Sequence, residues 1–156
     1  MRRPHKKINH LQEDRVYDSK VVSQFINYIM LDGKKNTAER IVYGALDILK
    51  EKEGITDALA AFNEALKQAG PEMEIKSRRV GGANYQVPMP VKVERQLSLA
   101  MRWIIDSARS GKGSSMESRL ANELFLASQG EGTAVTKKIN THKMAEANKA
   151  FAHFAW

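Results

Sequence analysis

Met73-Glu74-Ile75-Lys76-Ser77-Arg78-Arg79-Val80-Gly81-Gly82-Ala83-Asn84-Tyr85-Gln86-Val87-Pro88-Met89-Pro90-Val91 is the stretch of this chain in which side-chain character has period two. Met73, Ile75, Ser77 and Arg79 alternate with Glu74, Lys76, Arg78 and Val80. Beyond the double glycine, Tyr85, Val87, Met89 and Val91 alternate again. Successive strand residues face opposite sides, so two such runs about Gly81-Gly82 predict a β-hairpin over residues 72–91. Pro88 and Pro90 lack the N–H that a ladder needs, which keeps the second strand out of the middle of a larger sheet. Two strands alone are marginally stable in water. The hairpin must therefore pack on the rest of the chain or project as an arm that something else supports.

On both sides of this stretch the period becomes helical. Ser19 can cap a first helix with Val22, Phe25, Ile26, Ile29 and Met30 on its apolar face, ended by Gly33. A second starts near Asn36 or Thr37, runs through Ile41, Ala45, Ile48 and Leu49, and ends before Gly54. A third is capped by Thr56, carries Leu59, Phe62, Leu66 and Ala69, and stops at Gly70-Pro71. After the hairpin, Leu97, Ala100, Met101, Ile104 and Ala108 mark a fourth helix that ends at the Gly111-Lys112-Gly113 loop. Ser114 and Glu117 form a capping box for a fifth, which continues through Met116, Leu120, Leu124 and Ala127 to near Gly130. A sixth starts near Thr133, with Met144, Ala147 and Phe151 on one face. The expected fold is mainly α: a single six-helix bundle with one protruding two-stranded β-hairpin arm between the third and fourth helices. Residues 1–156 form one domain, with a basic N-terminal arm over 1–18, the hairpin arm over 72–91 and an aromatic tail over 149–156.

Composition agrees. A chain of 156 residues with 42% apolar and 28% charged side chains suits one domain with one core. Its apolar runs fall far short of the ~20 residues that span a bilayer, and no apolar stretch follows the basic N-terminus as in a secretory signal. No membrane association is expected. The absence of cysteine excludes a disulfide scaffold, a thiolate zinc site and a cysteine nucleophile, and points to the cytosol. His5, His10, His142 and His153 are scattered, and His142 with Glu146 reads as an ordinary helix-face pair rather than half of a metal site. Gly111-Lys112-Gly113-Ser114-Ser115 fails as a phosphate loop: Gly113 stands where Ser or Thr must follow the lysine, and Asp106 where the first glycine belongs. No enzyme chemistry, cofactor, metal or small-molecule substrate is expected.

The net charge of +7 points to a polyanionic partner. Residues 36–71 carry four basic and six acidic side chains, so the excess lies elsewhere. Within 76–93, Lys76, Arg78, Arg79 and Lys92 occur without a single acid. Lysine and arginine supply the counterion-releasing contacts to phosphate. The double glycine lets backbone come close to a ligand. Asn84 and Gln86 offer amides, and Tyr85 a ring on which an unpaired base can stack. An ordinary exposed hairpin could carry the same residues; the coincidence of charge, glycine and aromatic favours RNA. Arg95, Arg102 and Arg109 recur at heptad spacing on nearly one face of the fourth helix, with Asp106 placed to pair with Arg102. They form either a solvated face or a phosphate-tracking ridge. Met101 and Ile104 on the opposite side belong to the core, and Trp103 to packing. Arg2, Arg3, Lys6 and Lys7 make a basic arm that orders on an anion. Lys137 and Lys138, with Lys143 and Lys149, add a further basic run.

Five segments together are characteristic: 32–35 (DGKK), 77–88 (SRRVGGANYQVP), 99–103 (LAMRW), 119–124 (RLANEL) and 144–153 (MAEANKAFAH). In this order and spacing they resemble the bacterial form of the small-subunit ribosomal protein seven family over nearly the whole chain. The resemblance implies a six-helix domain with a hairpin arm. It also implies a primary binder of small-subunit rRNA that nucleates assembly of the 3′ major domain, the subunit head. The arm tip would lie near exit-site tRNA and the departing mRNA, with small-subunit ribosomal proteins nine and eleven as neighbours. Carried over by motif, the rRNA contacts would be Lys34, Lys35, Lys76, Arg78, Arg79, Arg95, Arg102, Lys137 and Lys138, beside the arm residues Arg2, Arg3, Lys6 and Lys7. Gly81, Gly82, Asn84 and Tyr85 would form the tip. Glu94 and Gln96 flank Arg95 where the family usually has a second arginine, and Ala155 stands where arginine is common, so fewer phosphate contacts are expected there. Two other classes remain open on the residues alone. One is another basic helical nucleic-acid-binding protein, such as a DNA binder, although no tight helix pair with a base-reading second helix is evident. The other is a helical adaptor whose hairpin adds a strand to a protein partner.

Overall fold

Six α-helices, a hairpin and a short 3-10 turn make up most of residues 12–52 and 54–154, the part of the chain described by the computed structural model. Arg2, Arg3, Lys6 and Lys7 lie outside the described residues, as do His5 and His10. Helix α1 (Lys20–Ile29) begins where the Ser19 hydroxyl accepts the Val22 N–H, and it buries Val22, Phe25, Ile26 and Ile29. It stops short of Gly33. Asp32 and Gly33 then adopt left-handed φ of 52° and 70° and reverse the chain, so α2 (Lys35–Lys50) starts before Asn36. Helix α3 (Ala58–Ala69) is capped by Asp57, not Thr56: its carboxylate accepts the Leu59 N–H at 2.8 Å. A carboxylate also suits the positive end of the helix dipole better than a hydroxyl does.

Strands β1 (Met73–Val80) and β2 (Ala83–Pro90) pair antiparallel, from Met73 opposite Pro90 to Val80 opposite Ala83. Gly81 and Gly82 carry φ of 58° and 91°, the pair of positive values that lets a two-residue turn follow the twist of its strands. The hairpin does not stand free along its length. Both strands pack against α6 (Thr133–Ala147), and β2 also meets the 3-10 turn Lys149–Phe154. Val87 and Pro88 are buried as a result.

Helix α4 (Val93–Ser110) buries Ala100, Met101, Ile104, Ile105 and Ala108. Helix α5 (Met116–Ser128) is capped by Ser115, whose hydroxyl accepts the Ser118 N–H, and not by Ser114. Released from the expected capping box, Glu117 lies against Gly44 of α2, where a Cβ would come within 3.2 Å of its side chain. Helix α6 stops at Ala147, so Phe151 belongs to the 3-10 turn and not to the same helical face as Met144, which is itself exposed.

Helix α5 is the centre of the bundle, touching α2, α3, α4 and α6. Alanines bring these helices close: Ala45, Ala65, Ala100, Ala121, Ala127 and Ala134 are all fully buried. Phe25 and Phe62 fill the remaining space edge to face, with ring centroids 5.2 Å apart. Two polar residues of α5 secure its neighbours. The Arg119 guanidinium donates to the Arg109 and Gly111 carbonyls, closing the end of α4. One turn on, the buried Glu123 accepts the Ala134 N–H at 2.8 Å, supplying the cap that Gly132 has no side chain to provide.

Candidate nucleic-acid interface

The basic side chains fall into a ridge, an arm and a flank. The ridge is α4. Near its start, Arg95 Nε donates to Glu74 Oε2 of β1 at 2.8 Å, and Lys76 reaches the same carboxylate at 3.1 Å. Near its end, Arg109 donates to the Ile29 carbonyl of α1 at 3.0 Å. Fourteen residues of helix cover about 21 Å, so the ridge runs from the root of the hairpin to the end of α1, where the turn bearing Lys34 and Lys35 begins. Between them, Arg102 does not pair with Asp106. Its guanidinium lies 5.4 Å from the centre of the Tyr28 ring, and a hydrogen bond with Ser98, aided by the Arg102 charge, holds the Tyr28 hydroxyl below its ordinary pKa. A shallow groove of about 270 Å³ runs beside the ridge, lined by Glu94, Arg95, Ser98, Leu99 and Arg102.

Glu74 decides how much of this charge is available. Burial pushes its carboxyl up, but the hydrogen bonds from Arg95 and Lys76 and their charges outweigh it and hold the pKa below the usual 4.5. One anion thus serves two cations, leaving a net single positive charge at the junction of arm and bundle. Lys34 and Lys35 make only long contacts, at 3.9 Å to Asp32 and 4.0 Å to Glu39. Such exposed pairs contribute about 0–1 kcal/mol, little hindrance to a phosphate.

The arm has two unlike faces. The register places Arg79 opposite Asn84 and Ser77 opposite Gln86, all four exposed, while Arg78 lies opposite Tyr85 and Lys76 opposite Val87 on the other side. The two neighbouring arginines therefore leave the arm in opposite directions. Gly81 and Gly82 at the tip are exposed, with open space around both Cα atoms. The Tyr85 ring is occupied within the protein: Phe151 and Phe154 lie 5.2 and 5.0 Å from its centre.

On the flank, Lys137 sits 5.5 Å from the centre of the Trp103 ring, joining α6 to α4. Lys138 turns inward and donates to the Gln68 carbonyl at 2.9 Å. One turn further, His142 does not face Glu146; its Nε2 accepts the Glu72 N–H at 3.0 Å. These two side chains pin the corner between α3 and β1. Sequence spacing points to none of Glu74, Tyr28, His142 or the pair Phe151 and Phe154 as partners of these candidate residues. Each acts on a segment distant in sequence, so no local pattern marks it.

A family model described as ribosomal protein S7p/S5e matches residues 1–149. The small ribosomal subunit protein uS7 of Francisella philomiragia is 55% identical over 143 residues, 92% of this chain and 91% of its own. Its namesake in Francisella tularensis subsp. holarctica (strain OSU18) matches to the same extent, and that of subsp. novicida is 54% identical over the same shares.

Proposed function

Since the chain belongs to the ribosomal protein S7p/S5e family, we propose that it is a primary binder of the 3′ major domain of small-subunit rRNA and nucleates assembly of the subunit head. It is a ribosomal protein of the small subunit and binds that subunit's rRNA, in a family of structural proteins rather than enzymes. As a small-subunit ribosomal protein it is placed in the cytoplasm; no helix among the described residues is long and apolar enough to cross a membrane.

The observation that carries the proposal is the row of cations with Lys34 and Lys35 at one end, the α4 ridge in the middle and Lys76 beside Arg95 at the arm's root, with Arg79 on the arm's opposite face. A path about as long as several nucleotide steps suits RNA backbone. Shape and phosphate contacts then do most of the recognition, because the deep major groove of A-form RNA is too narrow for side chains to read. A bundle tied across its helix ends by Arg119 and Glu123 is a firm wedge between RNA helices. Arg2, Arg3, Lys6 and Lys7 extend the contact as the N-terminal arm, and Lys137, at the Trp103 flank beside Lys138, adds charge. Gly81, Gly82 and Asn84 form the tip that comes near exit-site tRNA and mRNA, with Tyr85 behind them. Small-subunit proteins nine and eleven are the protein neighbours in this reading.

The test is binding to a transcript of the 3′ major domain across a salt series, with a scrambled RNA of equal length as control. Selective binding is expected. Arg79→Ala and the pair Lys34→Ala with Lys35→Ala should each weaken it and flatten the salt dependence by roughly 0.7–0.9 for each phosphate left without its cation, with unchanged melting temperature. Equal affinity for both RNAs would refute the assembly role.

A further inference from the structure

We propose that the 3-10 turn Lys149–Phe154 is a brace that fixes the direction of the hairpin arm, with Tyr85, Phe151 and Phe154 as its positioning residues. A two-stranded hairpin gains little from its own ladder. Its root is held by Glu74, bonded to Arg95, and by His142 on the Glu72 N–H. Those contacts lie at the bundle end of β1; outside the hairpin, β2 packs on α6 and more extensively on the 3-10 turn. Tyr85 is in the hairpin's outer half, opposite Arg78 and close to the glycine turn. Its ring meets Phe151 and Phe154 at interplanar angles of 55° and 40°, with both centroid separations within the roughly 4.5–7 Å range of aromatic pairs. The turn is itself closed: His153 Nδ1 lies 2.9 Å from the Ala150 carbonyl, and its ring is 4.0 Å from that of Phe154. Phe151 and Phe154 lie outside the bundle core, and both rings meet the arm at Tyr85.

The consequence rests on the reading that the arm contacts RNA. An arm held in one direction presents Arg79, Asn84 and Gln86 together, and less ordering has to be completed on binding. Phe151 and Phe154 then strengthen RNA binding without touching a phosphate.

The experiment measures amide hydrogen exchange and RNA affinity on the same full-length variants. Phe151→Ala with Phe154→Ala should speed exchange of hairpin amides over 75–87 by at least about fivefold, while the amides of α1 to α5 keep their rates and certify the fold. Tyr85→Leu should do the same from the other side, and the triple variant should add little more. Affinity for the 3′ major-domain transcript should fall several-fold with its salt slope intact, whereas Arg79→Ala should lower both and leave exchange alone. Unchanged hairpin exchange would overturn the brace. So would faster exchange with full RNA affinity in a background where Arg79→Ala weakens binding. If Arg79→Ala has no effect either, the RNA reading of the arm is what fails, and exchange alone judges the brace.

Discussion

Asp14 is 6% exposed, yet both its oxygens are used: Oδ2 accepts the Val16 and Tyr17 N–H groups at 3.1 Å, and Oδ1 accepts the Tyr43 hydroxyl at 2.6 Å. This ties the segment before α1 to the middle of α2. Burial first, then the hydrogen bond and charge of Asp14, push the Tyr43 hydroxyl well above its ordinary pKa of 10.0. A raised folded value means the stabilisation is complete below pH 10.0 and is lost as pH climbs from there towards the folded value. Tyr43→Phe should therefore cost about 1.5–3 kcal/mol at neutral pH. The difference from the parent should shrink steadily above pH 10, as urea titrations at several pH values would record. Nothing local in the sequence joins two residues 29 positions apart. The same holds for Arg95 and Glu74, 21 apart. Cations could be picked out one by one as candidate RNA contacts, but which of them already has an anion could not.

At the level of elements, most were legible and their ends less so. The hairpin emerged with its turn because Gly81-Gly82 is a strong signal and the flanking alternation admits one register. Caps were displaced by a single residue where two candidates stand side by side, Thr56 beside Asp57 and Ser114 beside Ser115; which one caps depends on where the neighbouring helices let the first turn begin. Phe151 fits a helical continuation of Met144 and Ala147 by spacing alone, so the break after Ala147 left no mark. The cap of α6 was equally hidden, because it comes from another helix. Glu123 reaches the Ala134 N–H only because Gly132 has φ of 95° and no Cβ, which would stand 3.2 Å from Glu123 Oε1. Glu123→Ala leaves a buried N–H unpaired and should cost about 1–3 kcal/mol. Glu123→Gln should cost less, because its amide oxygen still accepts; chemical denaturation of the two variants separates the lost bond from the lost charge.

Across the whole molecule, charge is divided by region. The clustered cations lie on the α1–α2 turn, α4 and the arm, while residues 36–71, with their acidic excess, build the scaffold behind them. That division was visible as a charge count, and the α4 ridge as a heptad. That Arg95 and Arg109 tie this ridge to the arm's root and to α1 emerged only when the chain was folded. The scaffold closes late. Because α5 is the element that α2 and α3 both pack against, a chain ending at Ser110 should show no cooperative thermal transition by circular dichroism, despite containing four of the helices. During synthesis the same geometry has a cost in time. The nascent chain carries the apolar sides of its first helices incompletely covered until α5 has left the exit tunnel, and until then it depends on chaperones or on its own solubility to escape aggregation.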